Sequence, residues 1–445
     1  MVKRALVRLR QSRLCGDAFW ALLGQLASAL ALLLGTRLLT ERVAPDVYGE
    51  AALLSGCVAL GVAAFSYPFI CAGMRLLPEC AGPAQRSQLQ RAVAGLTGQA
   101  TLLALSLLLA GGGCYAYLYR APAAPFLLAG ALLAVTVWRE FGVQLAIGGR
   151  RQRRAALWQT GDSVLRPALA VAAVGYLGAR VEWILAAYAA ATLLSNLLWC
   201  RLGAESAAGE LSPTDVRRFA GKIWRYAWPL LPMELLFWLN GVGDRYAIAY
   251  LLSAADVGLY AAGYTLVNEA FNRSAMVLLR TFQPAYFQAF SGGEYRRAHA
   301  VLRLWLYCLL AGGGLGLLAL PWLGDWLVAL LLAEPYRPVA ALLPAIGGGC
   351  LLHALGTLWA QPLLAEKRTR LLLKGRLCGA LAAITVLPLL ILQYGLPGAA
   401  WANPVYFGIE ALVLALLAKP WRLRDGDPLP AVAEASAAAP LRAPA

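Results

Sequence analysis

Charged side chains inside long apolar segments are the residues of this sequence best able to carry chemistry. Glu269, Arg273 and Arg280 are separated by four and seven residues, which are close to whole helical turns, so a helix places all three on one face. Asp162 and Arg166 are likewise four residues apart in another apolar segment. Each such charge costs roughly 2.5–3.5 kcal/mol near the middle of a bilayer unless it is paired or faces water. The sequence therefore predicts either a polar site or structural ion pairs here.

Two kinds of chemistry fit these charged residues. A guanidinium binds phosphate bidentately without losing its charge, so four arginines are candidates to bind a diphosphate or acidic sugars: Arg139, Arg166, Arg273 and Arg280. Buried carboxylates can exchange a proton or bind Na⁺, so three acids are candidates for ion coupling: Asp162, Glu234 and Glu269. Glu234 alone has no arginine close to it in sequence. The alternative interpretation is structural, with Asp–Arg and Glu–Arg pairs neutralising each other and holding helices together.

The sequence lacks the common motifs of nucleotide-binding, metal-binding and redox sites. It contains no GxxxxGK[ST] phosphate loop, no CxxC among its nine cysteines and only two histidines, so no nucleotide, metal or cofactor site is expected. The pair Asp425 and Asp427 imitates a metal-binding DxD motif, but it lies in a polar tail without a folded domain around it. We therefore expect no catalytic residue.

The elements that must position these charges are membrane-spanning helices. The chain is 60% hydrophobic, and its apolar residues form about twelve runs of near 20 residues, each long enough to cross the hydrocarbon core of a bilayer. Backbone polar groups in lipid must be satisfied within the segment, so runs of this length predict helices. The fold class is therefore an all-α polytopic membrane protein.

The distribution of positive charge predicts the topology. Of the 39 Lys and Arg residues, 29 lie in the two ends and in every second gap, while the opposite gaps hold four: Arg42, Arg120, Arg180 and Arg337. Positive residues near helix ends are retained on the cytoplasmic side, so we expect a bacterial inner-membrane protein with both termini in the cytoplasm. This topology, together with contact with membrane lipids, accounts for the net charge of +16 and argues against a nucleic-acid partner.

The spacing of the runs divides the chain into two halves. The longest gap predicts four regions: a six-helix bundle over 1–202, a cytoplasmic linker over 203–225, a second six-helix bundle over 226–420 and a disordered tail over 421–445. Six helices per half would let both halves enter the membrane from the same side. This predicts two six-helix bundles related by a pseudo-two-fold axis along the membrane normal, an arrangement common in transporters.

A faint internal repeat supports this symmetry. TRLLTERVAPDVYGEAALL in the first half corresponds to DRYAIAYLLSAADVGLYAAGYTL in the second. Each copy contains an arginine, Arg37 or Arg245, followed by a turn with Asp46 or Asp256 before the next apolar run. An aspartate in such a turn is suited to cap the following helix, so we expect both to be capping residues.

Two segments of the sequence resemble bacterial polysaccharide transporters, the O-antigen and exopolysaccharide flippases. FWALLGQLASALALLLGTRLLTERVAPDVYGEAAL is similar to their first two helices, and RYAWPLLPMELLFWLNGVGDRYAIAYLLSAADVGLYAAGYTL resembles their seventh and eighth. The second segment includes Trp228-Pro229, Asp244-Arg245 and Val257-Gly258-Leu259-Tyr260. The resemblance implies a V-shaped pair of six-helix bundles of the multidrug/oligosaccharidyl-lipid/polysaccharide exporter kind.

The resemblance also implies a function. It predicts a flippase that moves an undecaprenyl-diphosphate-linked oligosaccharide across the inner membrane by alternating access, driven by an ion gradient, for cell-surface or exopolysaccharide biosynthesis. A polysaccharide polymerase and chain-length or export machinery are then candidate partners. A multidrug cation antiporter and a lipid II flippase share the fold, although a cavity lined with arginine would repel cationic drugs and a lipid II flippase would have fourteen spans. A membrane polysaccharide polymerase or glycosyltransferase would need a large external loop, which the sequence lacks.

Overall fold

The computed structural model describes residues 13–77, 80, 82–149, 151–201 and 213–419. No β-strand occurs within these ranges. The α-helices in chain order are α1 Arg13–Thr40, α2 Pro45–Leu60, α3 Tyr67–Leu76, α4 Pro83–Tyr119, α5 Ala124–Gly148, α6 Gln152–Leu177, α7 Val181–Arg201, α8 Pro213–Ala227, α9 Leu231–Leu251, α10 Ala254–Ser291, α11 Tyr295–Leu331, α12 Leu343–Ala365, α13 Thr369–Tyr394 and α14 Leu396–Ala418. A π-helical turn, Gly61–Ser66, joins α2 to α3, and 3₁₀ segments precede α9 and α12.

The long helices number twelve in the described chain when α2, the π turn and α3 count as one span and the short α8 is set aside. The π turn lies just before Pro68, which has no N–H with which to continue the α-helical hydrogen-bond ladder. Nine of the described helical segments are long and apolar enough to cross a membrane. The set omits three long helices of the described chain: α6, α9 and α10. Each of these helices carries candidate charged residues, and those charges lower its hydropathy.

The described chain contains two compact units. Unit 1 comprises Met1–Ala262 and Leu327–Val339, and unit 2 comprises Gly263–Trp326 and Ala340–Ala445. These bounds differ from the sequence-based division, because α9 and the first residues of α10 pack with the first half of the chain. Folding domains over 1–202 and 226–420 stay a prediction. The predicted tail, 421–445, lies outside the described residues.

The core of unit 1 is formed where α1, α5, α6 and α7 pack together. Its buried side chains include Leu39, Leu133 and Ile184. Small residues let the backbones of α1 and α6 approach, since a Cβ added at Gly35 would lie 2.2 Å from the Cβ of Pro167. This packing fixes the helices that carry Arg139, Asp162 and Arg166.

The predicted linker contains a helix, α8, that charge alone did not indicate. Val216, Phe219, Ala220 and Ile223 recur at helical spacing and pack on α3 and α4, beside Phe69 and other apolar residues of those helices. The rest of that predicted linker, residues 203–212, lies outside the described ranges.

The core of unit 2 is formed chiefly by α12, α13 and α14. Again, glycines permit close approach, since a Cβ at Gly375 would lie 2.4 Å from a methyl group of Leu414. A second cluster, with Tyr286, Trp305 and Leu358 buried, joins α10, α11 and α12 within the unit.

The caps of the two repeated helices differ from expectation. The first repeated helix, α2, has Ala44 as its N-cap, without a side-chain hydrogen bond, and Asp46 lies in the first turn. At α10 the hydroxyl of Ser253 accepts a hydrogen bond from the N–H of Asp256 at 3.2 Å and donates to its carboxylate at 2.5 Å. The prediction that the two aspartates are the capping residues was therefore wrong. Their charge still favours the helix N-terminus.

Candidate functional site

The charged residues of unit 1 form one buried network across α5, α6 and α7. The carboxylate of Asp162 on α6 accepts from the guanidinium of Arg139 at 2.7 Å, from Arg166 Nε at 3.0 Å and from the hydroxyl of Thr192 at 2.8 Å. Arg139 also pairs with Glu140 beside it. Asp162 is 1% exposed, whereas the side chains of Arg139 and Arg166 are 17% and 26% exposed. The buried carboxylate is thus satisfied by three donors.

Further polar contacts fix the same helices. Arg166 donates to the hydroxyls of Thr192 at 2.8 Å and Thr136 at 3.3 Å, and Asn196 on α7 donates to the carbonyl of Val135 at 2.9 Å. The predicted pairing of Asp162 with Arg166 is confirmed, and it extends to neighbouring helices that the sequence spacing did not indicate. This arrangement holds α5, α6 and α7 together, and it leaves part of the Arg139 and Arg166 side chains exposed.

A second acidic region of unit 1 surrounds Tyr67 on α3. Both Glu140 on α5 and Glu234 on α9 lie close enough to Tyr67 and Cys71 to interact with them electrostatically. Glu234 is half-buried, and among the described residues it forms no ion pair. Of the three carboxylates predicted to couple an ion, it is the one not held by an arginine.

In unit 2, α10 carries the remaining predicted residues. Arg273 Nε lies 2.5 Å from the carboxylate of Glu269, one turn away, which confirms the predicted pair, and the Arg273 side chain is 27% exposed. Arg280 is exposed and forms no ion pair within the described chain. Since seven residues are close to two helical turns, Arg273 and Arg280 share one face of α10.

Sequence reasoning missed one buried ion pair in unit 2. The charge count includes Arg376 among the 29 residues predicted to be cytoplasmic, but it lies inside α13, is 8% exposed and pairs with Glu410 of α14. Small residues make room for the acid, since a Cβ at Gly379 would lie 2.7 Å from Glu410 Oε2. The signal was available as a lone glutamate in an apolar run. Nearby, the ring of His353 packs on that of Phe407 at 4.7 Å, and its Nδ1 has no hydrogen-bond partner among the described residues.

The two helices that follow the repeated turn, α2 and α10, cross at backbone contact in unit 1. A Cβ at Gly49 on α2 would lie 1.9 Å from the carbonyl oxygen of Ala254, and a Cβ at Gly258 on α10 would lie 1.8 Å from that of Pro45. Gly258 lies 209 residues after Gly49, and Ala254 lies 209 residues after Pro45, so each helix makes the same contact with the other. The crossing therefore has local two-fold symmetry, as the repeat predicts.

Further contacts close the same end of unit 1. Tyr336 is fully buried and donates from its hydroxyl to the carbonyl of Val43 at 3.0 Å, while the hydroxyl of Thr40 accepts from the N–H of Ala333 at 3.3 Å. Arg37 donates to the carbonyl of Leu332 and lies 2.9 Å from Glu41. We call this set the seal: the Gly49–Gly258 crossing with Arg37, Thr40, Val43 and Tyr336. Arg37, the arginine of the first repeat copy, contributes to it.

Comparison with known proteins identifies the architecture. No model of a known protein family matches this chain, and no curated protein matches it in sequence. Among solved structures, lipid II flippase MurJ in an inward closed conformation aligns over 91% of this chain and 87% of its own, with a TM-score of 0.71 and 11% identity. A multidrug resistance MATE family transporter of the MOP superfamily, in an inward-facing conformation, aligns over 91% and 95%, with a TM-score of 0.60 and 14% identity. A mutant of the Vibrio cholerae MATE transporter VcmN aligns over 93% and 97%, with a TM-score of 0.61 and 15% identity.

The fold is that of MurJ and the MATE transporters. This confirms the predicted fold class, and with the apolar helices it makes the chain a multi-pass membrane protein. At 11–15% identity the likeness concerns the fold, and it assigns no substrate to the charged residues described above.

Proposed function

We propose that this protein is a flippase that moves an undecaprenyl-diphosphate-linked oligosaccharide across the bacterial inner membrane, with both termini in the cytoplasm. The glycan would serve O-antigen or exopolysaccharide biosynthesis, with a polysaccharide polymerase and chain-length or export machinery as candidate partners. The resemblance of two sequence segments to polysaccharide transporters and the MurJ/MATE fold both support this proposal.

The observation that carries the proposal is the pair of arginines on one face of α10. This helix has 38 residues and is roughly 57 Å long at about 1.5 Å per residue, so it is longer than the hydrocarbon core is thick. Under the proposed topology Arg273 lies at the middle of this helix and Arg280 lies toward its cytoplasmic end. Arg273 is oriented by Glu269, and Arg280 carries a charge without a protein partner among the described residues. A diphosphate in the cytoplasmic leaflet is an anion of matching charge and geometry.

The proposed mechanism is alternating access. The seal would close the external side while the headgroup binds from the cytoplasm, and its opening would release the headgroup outside. The network around Asp162 would keep α5, α6 and α7 together during this change, so that helices move as a group. Arg139 and Arg166 stay candidates for substrate contact, because part of each side chain is exposed.

One observation favours a second candidate function, the export of cations in exchange for protons or Na⁺. Glu234 is a half-buried carboxylate without an ion pair among the described residues, and Glu140 lies in the same region. Such acids could bind a cationic substrate. In the flippase proposal, Glu234 instead couples transport to an ion gradient.

A flipping assay with purified protein tests the proposal. Proteoliposomes would contain an undecaprenyl-diphosphate-linked oligosaccharide, and a lectin added outside would report its translocation. Arg273→Ala and Arg280→Ala should each slow translocation roughly tenfold to hundredfold, the value of a hydrogen bond between charged groups. Arg296→Ala is the matched control, because Arg296 is an exposed arginine at the start of the next helix. Normal translocation by both α10 variants would contradict the proposed binding site.

The two candidate functions differ in the consequence of Glu234→Gln. For the flippase, this change should remove the dependence of glycan translocation on a proton or Na⁺ gradient. For a cation antiporter, the wild-type protein should move fluorescent organic cations and leave the glycan lipid in place. That second result would replace the flippase proposal.

A further inference from the structure

The face of α8 that points away from the protein has a composition unlike that of its packed face. Val216, Phe219, Ala220, Ile223 and Ala227 contact α3 and α4. Successive residues of a helix are rotated by about 100°, so this set occupies one side and leaves the opposite side free.

Four basic residues lie on that free side: Arg217, Arg218, Lys222 and Arg225. All four are exposed, and within the described chain none of them forms an ion pair. The sequence of the helix contains one acidic residue, Asp215. The free face is therefore strongly positive, and no ion pair within the described residues compensates its charge.

Exposed aromatic side chains border this basic face. The side chains of Trp224, Tyr226 and Trp228 are 49%, 44% and 62% exposed. Trp224 stacks on Phe69 of α3, with centroids 5.5 Å apart, and on Trp228, with centroids 5.9 Å apart. Tryptophan and tyrosine beside lysine and arginine are typical of the boundary between membrane and water.

We propose that the free face of α8 binds the anionic phospholipid headgroups of the membrane leaflet beside it. Four cations that form no ion pair within the described chain match a negative surface, although the amine of Lys222 also lies over the ring of Phe219. The aromatic rings match the depth of the lipid headgroups, and an acidic soluble protein would not require them. The binding would hold α8 against the membrane. The inference depends on the membrane location of the chain and is independent of the substrate proposed above.

Hydrogen–deuterium exchange of the full-length protein in nanodiscs tests this inference. Nanodiscs of phosphatidylcholine would be compared with nanodiscs that also contain phosphatidylglycerol. The anionic lipid should slow exchange over residues 213–227 by roughly fivefold for each basic residue in contact with it. High salt should reduce the difference, because the interaction is between exposed charges. A variant in which glutamine replaces all four basic residues should exchange residues 213–227 at the same rate in the two lipids. The four residues are Arg217, Arg218, Lys222 and Arg225.

A matched variant removes the same charge elsewhere: Arg296, Arg303, Arg370 and Lys374, all exposed at helix ends of unit 2, each replaced by glutamine. In this variant, phosphatidylglycerol should slow the exchange of α8 as much as in the wild-type protein. Unchanged exchange in α12 would show that each variant is folded. Equal exchange of α8 in the two lipids for the wild-type protein would overturn the proposal. Protection by added RNA in phosphatidylcholine nanodiscs, without protection by phosphatidylglycerol, would also overturn it and indicate a nucleic-acid surface.

Discussion

The Gly49–Gly258 crossing leads to the sharpest prediction, because the cost of one added methyl group follows from the geometry. In Gly49→Ala the new Cβ would lie 1.9 Å from the carbonyl oxygen of Ala254 and 2.8 Å from the nitrogen of Gly258. Carbon and oxygen in close contact are about 3.3 Å apart, so α2 and α10 must separate by roughly an ångström or more. Overpacking of this kind typically costs about 1–3 kcal/mol. If α2 and α10 separate when the seal opens, the added methyl group destabilises only the sealed form.

The expected result is a shift from the sealed form to the open one. A destabilisation of about 1–3 kcal/mol changes the ratio of two forms by roughly 5- to 150-fold. Val43 is buried in the seal, and its carbonyl accepts the hydrogen bond from Tyr336. In a cysteine-free background, Val43→Cys should therefore react with a membrane-impermeant maleimide only when the seal opens. Adding Gly49→Ala should raise the reaction rate by the same factor.

Two comparisons make this experiment decisive. Gly113→Ala in α4 adds the same methyl group where nothing lies within 4 Å, so it should leave labelling unchanged. Gly258→Ala should act like Gly49→Ala, and the double variant should fall short of the product of the two effects, because both disrupt one contact. If Gly49→Ala labels at the wild-type rate, backbone contact at this crossing does not hold the seal.

Two further predictions concern stability and topology. Glu410→Ala should lower the stability of the protein in thermal unfolding by about 3–5 kcal/mol, because Arg376 would keep a buried charge without its carboxylate. The double change Arg376→Met with Glu410→Leu should restore most of this loss, and no recovery would show that the ion pair is not the cause. Single cysteines at Arg120 and Arg180 should react with an impermeant reagent from outside, and one at Arg151 only from inside. The reverse pattern would invert the topology and place the seal on the cytoplasmic side.

The number and type of helices could be predicted because the bilayer leaves the backbone few alternatives. The helix ends could not. Helices α4, α10 and α11 have 37 or 38 residues, although hydropathy indicated shorter spans. Hydropathy falls where a helix leaves the hydrocarbon core and enters water. The helix itself can extend beyond that point, because its backbone hydrogen bonds also form in water. Helix α8 was missed for a related reason, since its charge suggested a linker and its apolar residues show only in their spacing.

In the candidate site, contacts within one helix could be predicted from the sequence, whereas contacts between helices could not. Sequence spacing predicted the pairs within one helix, Asp162 with Arg166 and Glu269 with Arg273, and the structure confirms both. It could not predict that Arg139 shares the same aspartate, because that contact depends on how α5 packs on α6. Likewise, the partner of Glu410 is Arg376 on another helix, and the basic residues around Arg376 in the sequence indicate a loop and not a buried ion pair.

These contacts also rank the four candidate arginines by the cost of binding a phosphate. Moving Arg139 or Arg166 toward an anion would remove a donor from Asp162, which is almost completely buried, and an unsatisfied buried acceptor costs about 1–3 kcal/mol. Arg273 would leave Glu269, a less buried acid on its own helix. Arg280 has no protein partner to lose among the described residues. Binding at α10 therefore retains most of its interaction energy, whereas binding at the Asp162 network must first offset the loss of a buried hydrogen bond.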